Sequence, residues 1–257
     1  MTPKQIWISY QTLVLKEFIR TFRIWPQTLF PPVMTMTLYF LIFGKLVGSQ
    51  IHATQGFTYM QYIVPGLVMM SVITNSYMHS SASFFIMKFQ RSIEEILVSP
   101  MPNLIILLGF ITGAVARGFV VGAIVLCIAL LFTHLDVQHV GLMIFCVFMT
   151  AIFFAIAGVV NAVFARNFDD IAWVPSFVLT PLTYLGGVFF SVAMLPVFWK
   201  NLAYFNPILY IVDVFRYSVL GVKTVNINFA LWILILLTLG LFLWALWLIQ
   251  NSARLRS

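Results

Sequence analysis

The sequence predicts an all-α, polytopic membrane protein with six transmembrane helices, preceded by an amphipathic helix at the membrane interface. Three observations carry this. Of the 257 residues, 62% are hydrophobic and 8% charged, against about 25% charged in an ordinary soluble domain. Five stretches, 24–44, 96–116, 137–165, 171–199 and 224–253, contain no Asp, Glu, Lys or Arg; each is long enough to cross a hydrocarbon core of about 30 Å. A sixth uncharged run, 46–87, is too long for one crossing. Its first third is polar, with Ser49, Gln50, His52, Thr54, Gln55 and Gly56, so it reads as a loop followed by a helix. The chain forms one membrane domain over 1–257 with no room for a soluble catalytic domain. Any energy source therefore belongs to a partner or to an ion gradient.

The first element, 1–25, is amphipathic. Ile6, Leu13, Val14, Phe18 and Trp25 fall near one helical face, and Lys16, Glu17, Arg20 and Arg23 on another. Such a helix lies in the interface, rests against a partner, or serves only as a topology anchor. It is not a cleavable signal, because no small-residue cleavage site follows a short apolar core. Pro26 ends this helix or starts the next, and Pro31 with Pro32 bends the first span early. The spans are expected near 27–48, 58–83, 103–132, 141–164, 173–194 and 227–249. Cys127 and Cys146 fall inside spans and read as small buried hydrophobes rather than a disulfide or ligand pair.

Orientation follows from the short loops, where Lys and Arg stay on the cytoplasmic side. With the N-terminus inside, nine basic residues are cytoplasmic (Lys4, Lys16, Arg20, Arg23, Lys88, Arg91, Arg166, Arg254, Arg256) and four are outside (Lys45, Lys200, Arg216, Lys223). Both termini are then cytoplasmic. The net charge of +7 is mostly this topology signal, and no nucleic-acid partner is needed to explain it.

The cytoplasmic loop 85–102 carries a basic pair, Lys88 and Arg91, and an acidic pair, Glu94 and Glu95. Ser92 and Glu95 have capping-box spacing, and Pro100 and Pro102 stop the helix. The expectation is a short rigid helix that projects charge and Leu97 into the cytosol; the plainer alternative is an ordinary amphipathic turn. Residues 195–222 are too apolar for an open loop and too interrupted for a full crossing. There Asn206-Pro207 supplies the cap and first turn of a helix, and Gly221 its stop. Asp213 and Arg216 are three residues apart on that helix and read as a local ion pair or, alternatively, as a substrate contact.

The fifth span contains Pro175, Pro181, Gly186 and Gly187, which make it either a kinked moving wall or a surface for close helix packing. Tyr184 and Phe189 follow as pathway-lining or packing aromatics. Arg117 is the one charge inside the third span; it contacts an anionic head group of an amphipathic cargo, or it hydrogen-bonds inside the bundle to groups such as Asn75 or Asn161. A gradient-driven secondary transporter is the main rival, although Asp213 is its only midplane acid and no repeat is visible. His79, Ser80, Ser81 and Ser83 suggest an intramembrane hydrolase, yet they read better as a polar helix end without a partner acid. A lone Asn206-Pro207 is too little for a water channel. His134, Asp136 and His139 lack a fourth ligand for a metal.

The order of these parts resembles the permease subunit of ABC-2 type transporters, a family of exporters. The cytoplasmic stretch Arg91-Ser-Ile-Glu-Glu-Ile-Leu-Val-Ser-Pro-Met-Pro102 is similar to that family's loop after the second span. Asn206-Pro-Ile-Leu-Tyr210, with Asp213, Arg216 and Gly221, is similar to its motif before the last span. The resemblance implies the ABC-2, or type V ABC exporter, fold, with re-entrant half-helices at 195–222 on the extracytoplasmic side. It implies a bacterial inner-membrane dimer of two copies of this chain, each on a separate P-loop ATPase that holds ATP and Mg, with no cofactor and no catalysis on this chain. The ATPase-coupling residues would be Phe89, Arg91, Ser92, Glu94, Glu95, Leu97 and Pro100, assisted by Asp169 and Asp170. The interfacial helix with Lys16, Glu17, Arg20 and Arg23 would join them. The first and fifth spans would line a route for an amphipathic or lipid-linked cargo moved by alternating access.

Overall fold

A computed structural model describes residues 2–48, 56–222 and 225–251, with the side chains of 45–47 left out. The polar part of the first loop (Ser49, Gln50, His52, Thr54, Gln55), the Lys45 side chain, Lys223, Arg254 and Arg256 lie outside the described residues. Eleven α-helices are described: α1 (Pro3–Arg23), α2 (Trp25–Tyr39), α3 (Tyr59–Phe89), α4 (Ser92–Val98), α5 (Asn103–Phe132), α6 (Val140–Phe164), α7 (Phe168–Val174), α8 (Thr180–Leu185), α9 (Val197–Tyr204), α10 (Pro207–Leu220) and α11 (Ile227–Asn251). A π-helical stretch, Phe40–Val47, continues α2, and another, Pro175–Leu179, joins α7 to α8.

Among the described residues four helical segments are long and apolar enough to cross a membrane: Trp25–Gly44, α5, α6 and α11. α3 is longer than any of them but less apolar, because Asn75, Ser76, His79, Ser80, Ser81 and Ser83 are threaded through it. It does not stop near residue 83 as expected. Those polar groups are buried, and all but the Ser76 hydroxyl are bonded within the bundle, so the helix continues to Phe89. The expected fifth span, 173–194, is not one helix either. Pro175 and Pro181 each remove an amide donor, and the ladder shifts to a wider π-helical turn between them; Thr180 Oγ1 bonds the Pro175 carbonyl at 2.9 Å. The helix ends at Leu185, before Gly186 and Gly187.

α3 is the axis of the bundle, packed against α5, α6 and α10. Small residues allow the close approach. A side chain at Gly66 would stand 2.6 Å from the Val188 carbonyl, and Gly118 and Gly158 lie against the hydroxyls of Ser76 and Ser80. Pro26 sits in the first turn of α2, so it starts that helix instead of ending α1. Cys146 is buried as expected, but Cys127 is exposed on the outer face of α5, toward the surface left for lipid or a partner.

Candidate functional site

The end of the bundle formed by the C-termini of α3 and α6 carries the expected coupling residues. α4 starts without a capping box. Arg91 occupies the cap position in a left-handed conformation, φ 60°, with no side-chain bond to the helix, and Ser92 Oγ donates backward to the Met87 carbonyl at 3.2 Å. A left-handed residue at the end of one helix is a common stop; here the same residue reverses the chain into the next helix. Glu94 and Glu95 lie in the first turn of α4, where carboxylates complement the helix dipole. Ile93 is buried and Leu97 packs on the core. The apolar side chain that projects is therefore Val98, 87% exposed, and not Leu97 as the sequence suggested. Ser99 and Pro100 follow in extended backbone and a bend.

Lys88 is not part of an open basic pair: its ammonium donates to the carbonyls of Val163 and Ala165, both at 2.7 Å, and so closes the C-terminus of α6. Next to it Phe89 stacks on Phe85 and Phe168, at centroid separations of 6.0 and 5.2 Å. This aromatic cluster brings the loop after α3 beside the loop after α6. In the latter, Asn167 Oδ1 accepts from the Asp170 amide at 2.8 Å, and Asp170 Oδ2 accepts from the Arg166 amide at 2.7 Å. Asp170 is thus committed to a cap. Asp169 is exposed, as are Arg91, Glu95 and Pro100.

α1 turns much of its expected apolar face inward, with Leu13 buried and Ile6, Val14 and Phe18 half-buried, and one residue of the charged face goes in with it. Glu17, assigned to an open charged face, is 1% exposed. Its Oε2 accepts from Ser83 Oγ at 2.7 Å, meets His79 Nε2 at 3.2 Å and lies 3.5 Å from Arg20. Gly113 of α5 leaves the space: a Cβ there would stand 2.7 Å from that of Glu17. Leu13 is buried beside Gly109, and Tyr10 shares a hydrogen bond with Thr112. Ile8, Leu15, Ile19 and Phe22 are left exposed, while Lys16 reaches the Met87 sulfur at 3.4 Å and Arg23 is exposed. The polar groups of α3 dictate this orientation, since a buried His and Ser need a partner. Burial alone would raise the Glu17 carboxyl; the His79 bond, the Arg20 charge and the Ser83 bond outweigh it and hold it below the ordinary carboxylate value. His79 and Ser83 therefore do have a partner acid, against expectation. Both bond the same carboxylate oxygen, however, so no Ser–His pair of the kind a hydrolase needs is formed.

Arg117 donates to Asn75 Oδ1 at 3.2 Å, which realises one of the two bonds considered. Asn161 instead approaches Ser81 Oγ and the Ile171 carbonyl.

In 195–222, α9 and α10 form the two short helices. Asn206 Oδ1 caps the Ile208 amide at 3.0 Å, Pro207 takes the first turn, and Gly221 ends α10 at φ 73°. Asp213 and Arg216 lie 4.0 Å apart. Arg216 does more than pair: it donates to the Gly187 carbonyl at 2.7 Å and the Tyr62 carbonyl at 3.4 Å, and its guanidinium stands 4.1 Å over the Tyr62 ring. Asp213 accepts from the Val225 amide at 2.8 Å. Gly187 is left-handed, φ 73°, and Gly186 packs against Ile208. Tyr210 donates to the Tyr204 carbonyl at 2.8 Å. Tyr184 and Phe189 are in ring contact at 5.6 Å, and Phe189 also meets Tyr39 and Phe43 of the first membrane segment.

Residues 8–220 match the family model for the ABC-2 type transporter. The chain belongs to this family. It is similar to the inner membrane transport permease YadH of Escherichia coli K12, with 49% identity over 251 residues and 98% of each chain covered. It is also similar to nodulation protein J of Rhizobium leguminosarum bv. viciae, with 25% identity and 74% of each chain covered.

In this ABC-2 type transporter chain, three features escaped the sequence reading: the burial of Glu17, the Phe85–Phe89–Phe168 cluster and the reach of Arg216 to Gly187. The first had a signal. His79 and Ser83 are four residues apart on one face of α3, and Glu17 is the only acid before residue 94. The other two depend on contacts between segments far apart in sequence.

Proposed function

We propose that this chain is the permease subunit of an ATP-driven exporter in a bacterial inner membrane. Six segments cross the bilayer: Trp25–Gly44, α3, α5, α6, the α7–α8 segment and α11. Both termini are cytoplasmic, and α9 and α10 dip into the membrane from the opposite side. Two copies of the chain form the conduit, and two copies of a separate P-loop ATPase supply the ATP and Mg chemistry. The family match over 8–220 carries this reading, and the geometry of the α4 end supports it: Glu95, Val98, Phe89 and Asp169 are exposed on a platform tied together by the Phe85–Phe89–Phe168 cluster.

The physical logic is mechanical. α4 is fixed to α3 by the tight turn at Arg91, and α3 is the axis of the bundle, so a pull on Glu94, Glu95 and Val98 is delivered to the axis. The α7–α8 segment, whose ladder changes from α to π and back between Pro175 and Thr180, is the wall that moves. It ends at Leu185, and the carbonyl of Gly187 just beyond it is held by Arg216. Movement of the axis against that wall alternates access for an amphipathic or lipid-linked cargo.

The test is co-expression with the product of the neighbouring reading frame, purification in lipid and assay of hydrolysis. A stable complex whose transport is blocked by vanadate is expected. Transport that proceeds with no P-loop ATPase bound and no effect of vanadate contradicts the proposal and favours a gradient-driven carrier.

A further inference from the structure

Lys88 stands in the last turn of α3, where a basic side chain ordinarily turns to the carbonyls of its own helix. This one reaches across instead. Its ammonium takes the Val163 and Ala165 carbonyls, which lie where α6 ends and the helix no longer supplies amide donors. α7 begins just beyond, at Phe168. The Phe168 ring meets Phe85 at 5.0 Å and Phe89 at 5.2 Å, residues on either side of Lys88 in the sequence. The elbow between α6 and α7 is therefore gripped twice by the end of α3, through two carbonyls and through a ring. The same end of α3 carries α4: the Arg91 amide donates to the Lys88 carbonyl at 3.0 Å, and Ser92 Oγ to the Met87 carbonyl at 3.2 Å.

The far end of the α7–α8 segment is pinned as well, because Arg216 holds the Gly187 carbonyl at 2.7 Å. Between the two pinned ends lies the π-helical stretch Pro175–Leu179, of which Leu179 alone is buried. A segment fixed at both ends, with an altered ladder and little packing in its middle, takes up a displacement of one end by bending in the middle.

We propose that Lys88 is a positioning residue for transport: it ties the α6–α7 elbow to the turn that carries α4, so that α7 follows α4 and the wall bends at Pro175–Leu179. The inference rests on the permease reading above. It adds a short lateral route for the movement of α4 beside the one along the axis. Bonds from an ammonium to carbonyls are charge-assisted and stronger than those between neutral groups, and two of them on one elbow fix its direction as well as its distance. Arginine can bridge the same two carbonyls; methionine keeps the bulk of the side chain and loses both bonds. If Lys88 only closed the C-terminus of α6, its removal would cost stability and leave the movement of the wall unchanged.

The experiment places a reporter cysteine at the end of α8, Tyr184→Cys, in a full-length chain carrying Cys127→Ser and Cys146→Ala, reconstituted in lipid with its ATPase. The rate at which a maleimide labels the reporter is measured before and after trapping with ATP and vanadate. With Lys88 in place, trapping is expected to change that rate. In Lys88→Met the ATPase should still bind and the change should be lost, and Lys88→Arg should restore it. Phe168→Ala, at an exposed ring, removes the other half of the grip and should reduce the change; it decides alone if Lys88→Met fails to fold. A full-sized change in Lys88→Met and Phe168→Ala overturns the proposal, as does a bound ATPase whose trapping leaves the reporter unaltered with Lys88 present. Failure of the permease reading looks different, since no ATPase is then bound at all, and it removes this inference with it.

Discussion

Glu17 and His79, 62 residues apart in sequence, meet through a buried carboxylate at 3.2 Å, and this contact fastens α1 to the axis of the bundle. Ser83 and Arg20 share the same oxygen. Removing the acceptor leaves three polar groups facing a dry interface, where each unsatisfied group is costly. Glu17→Ala is expected to lower stability by about 3 kcal/mol, the scale for breaking a buried polar pair. It should also release α1, seen as faster proteolysis between residues 3 and 23. Glu17→Gln keeps one acceptor and should lose less. Thermal unfolding in detergent reads both.

The same contact gives a pH dependence. The folded-state value of the Glu17 carboxyl is held below its ordinary one, so its contribution to stability is complete above the ordinary carboxylate range. It is lost as the pH falls through the lowered folded-state value. Acid should therefore loosen α1 in the wild type, and Glu17→Gln should remove that transition. An unfolding midpoint measured against pH for both proteins checks the sign.

Arg216 joins α10 to two other segments through the carbonyls of Gly187 and Tyr62. Lysine keeps the charge but cannot present two donors in a fixed fork over an aromatic ring. Arg216→Lys is expected to lose about 2 kcal/mol, on the scale of charge-assisted hydrogen bonds to buried acceptors, and Arg216→Met more, since it also removes the charge beside Asp213. Proteolytic sensitivity at 186–191 in purified protein would rise in both.

Glycine substitutions separate packing from propensity. Gly66→Ala would press a methyl group onto the Val188 carbonyl at 2.6 Å. Main chain cannot swing aside as a side chain can, and a loss of about 2 to 3 kcal/mol is expected from overpacking. At Gly240, in the middle of α11, nothing lies within 4 Å. Gly240→Ala should therefore gain about 0.5 to 1 kcal/mol from helix propensity. Opposite shifts in the unfolding midpoint are the expected result.

Four apolar segments were legible because charge-free runs of sufficient length have one physical use, and α5 and α6 lie within a residue of the expected 103–132 and 141–164. The Asn206-Pro207 start and Gly221 stop of α10 were legible because caps are local. The burial of Glu17 was not: its charge suggested an open face, yet it goes inward with Leu13, while Leu15, Ile19 and Phe22 face outward, because in a membrane protein the outside is apolar as well. Hydrophobic pattern then no longer separates inside from outside, and polar groups such as Glu17 and His79 mark the interior instead. That Val98, and not Leu97, projects from α4 was not legible either, since both are apolar neighbours on one short helix. Only three-dimensional packing shows that Leu97 is taken up by the core.

The central claim is that force passes through α4, and it is tested most directly by ATP hydrolysis in lipid-reconstituted complexes carrying Glu94→Ala with Glu95→Ala, or Val98→Asp. Glu95 is exposed and Glu94 half-exposed in the first turn of α4, and Val98 is almost fully exposed, so the variants should fold. Loss of ATPase binding by about 2 to 5 kcal/mol, the cost of removing one side of a contacting charge pair, is predicted, with transport-coupled hydrolysis lost in parallel. Wild-type binding and wild-type coupled hydrolysis in both variants would contradict the account.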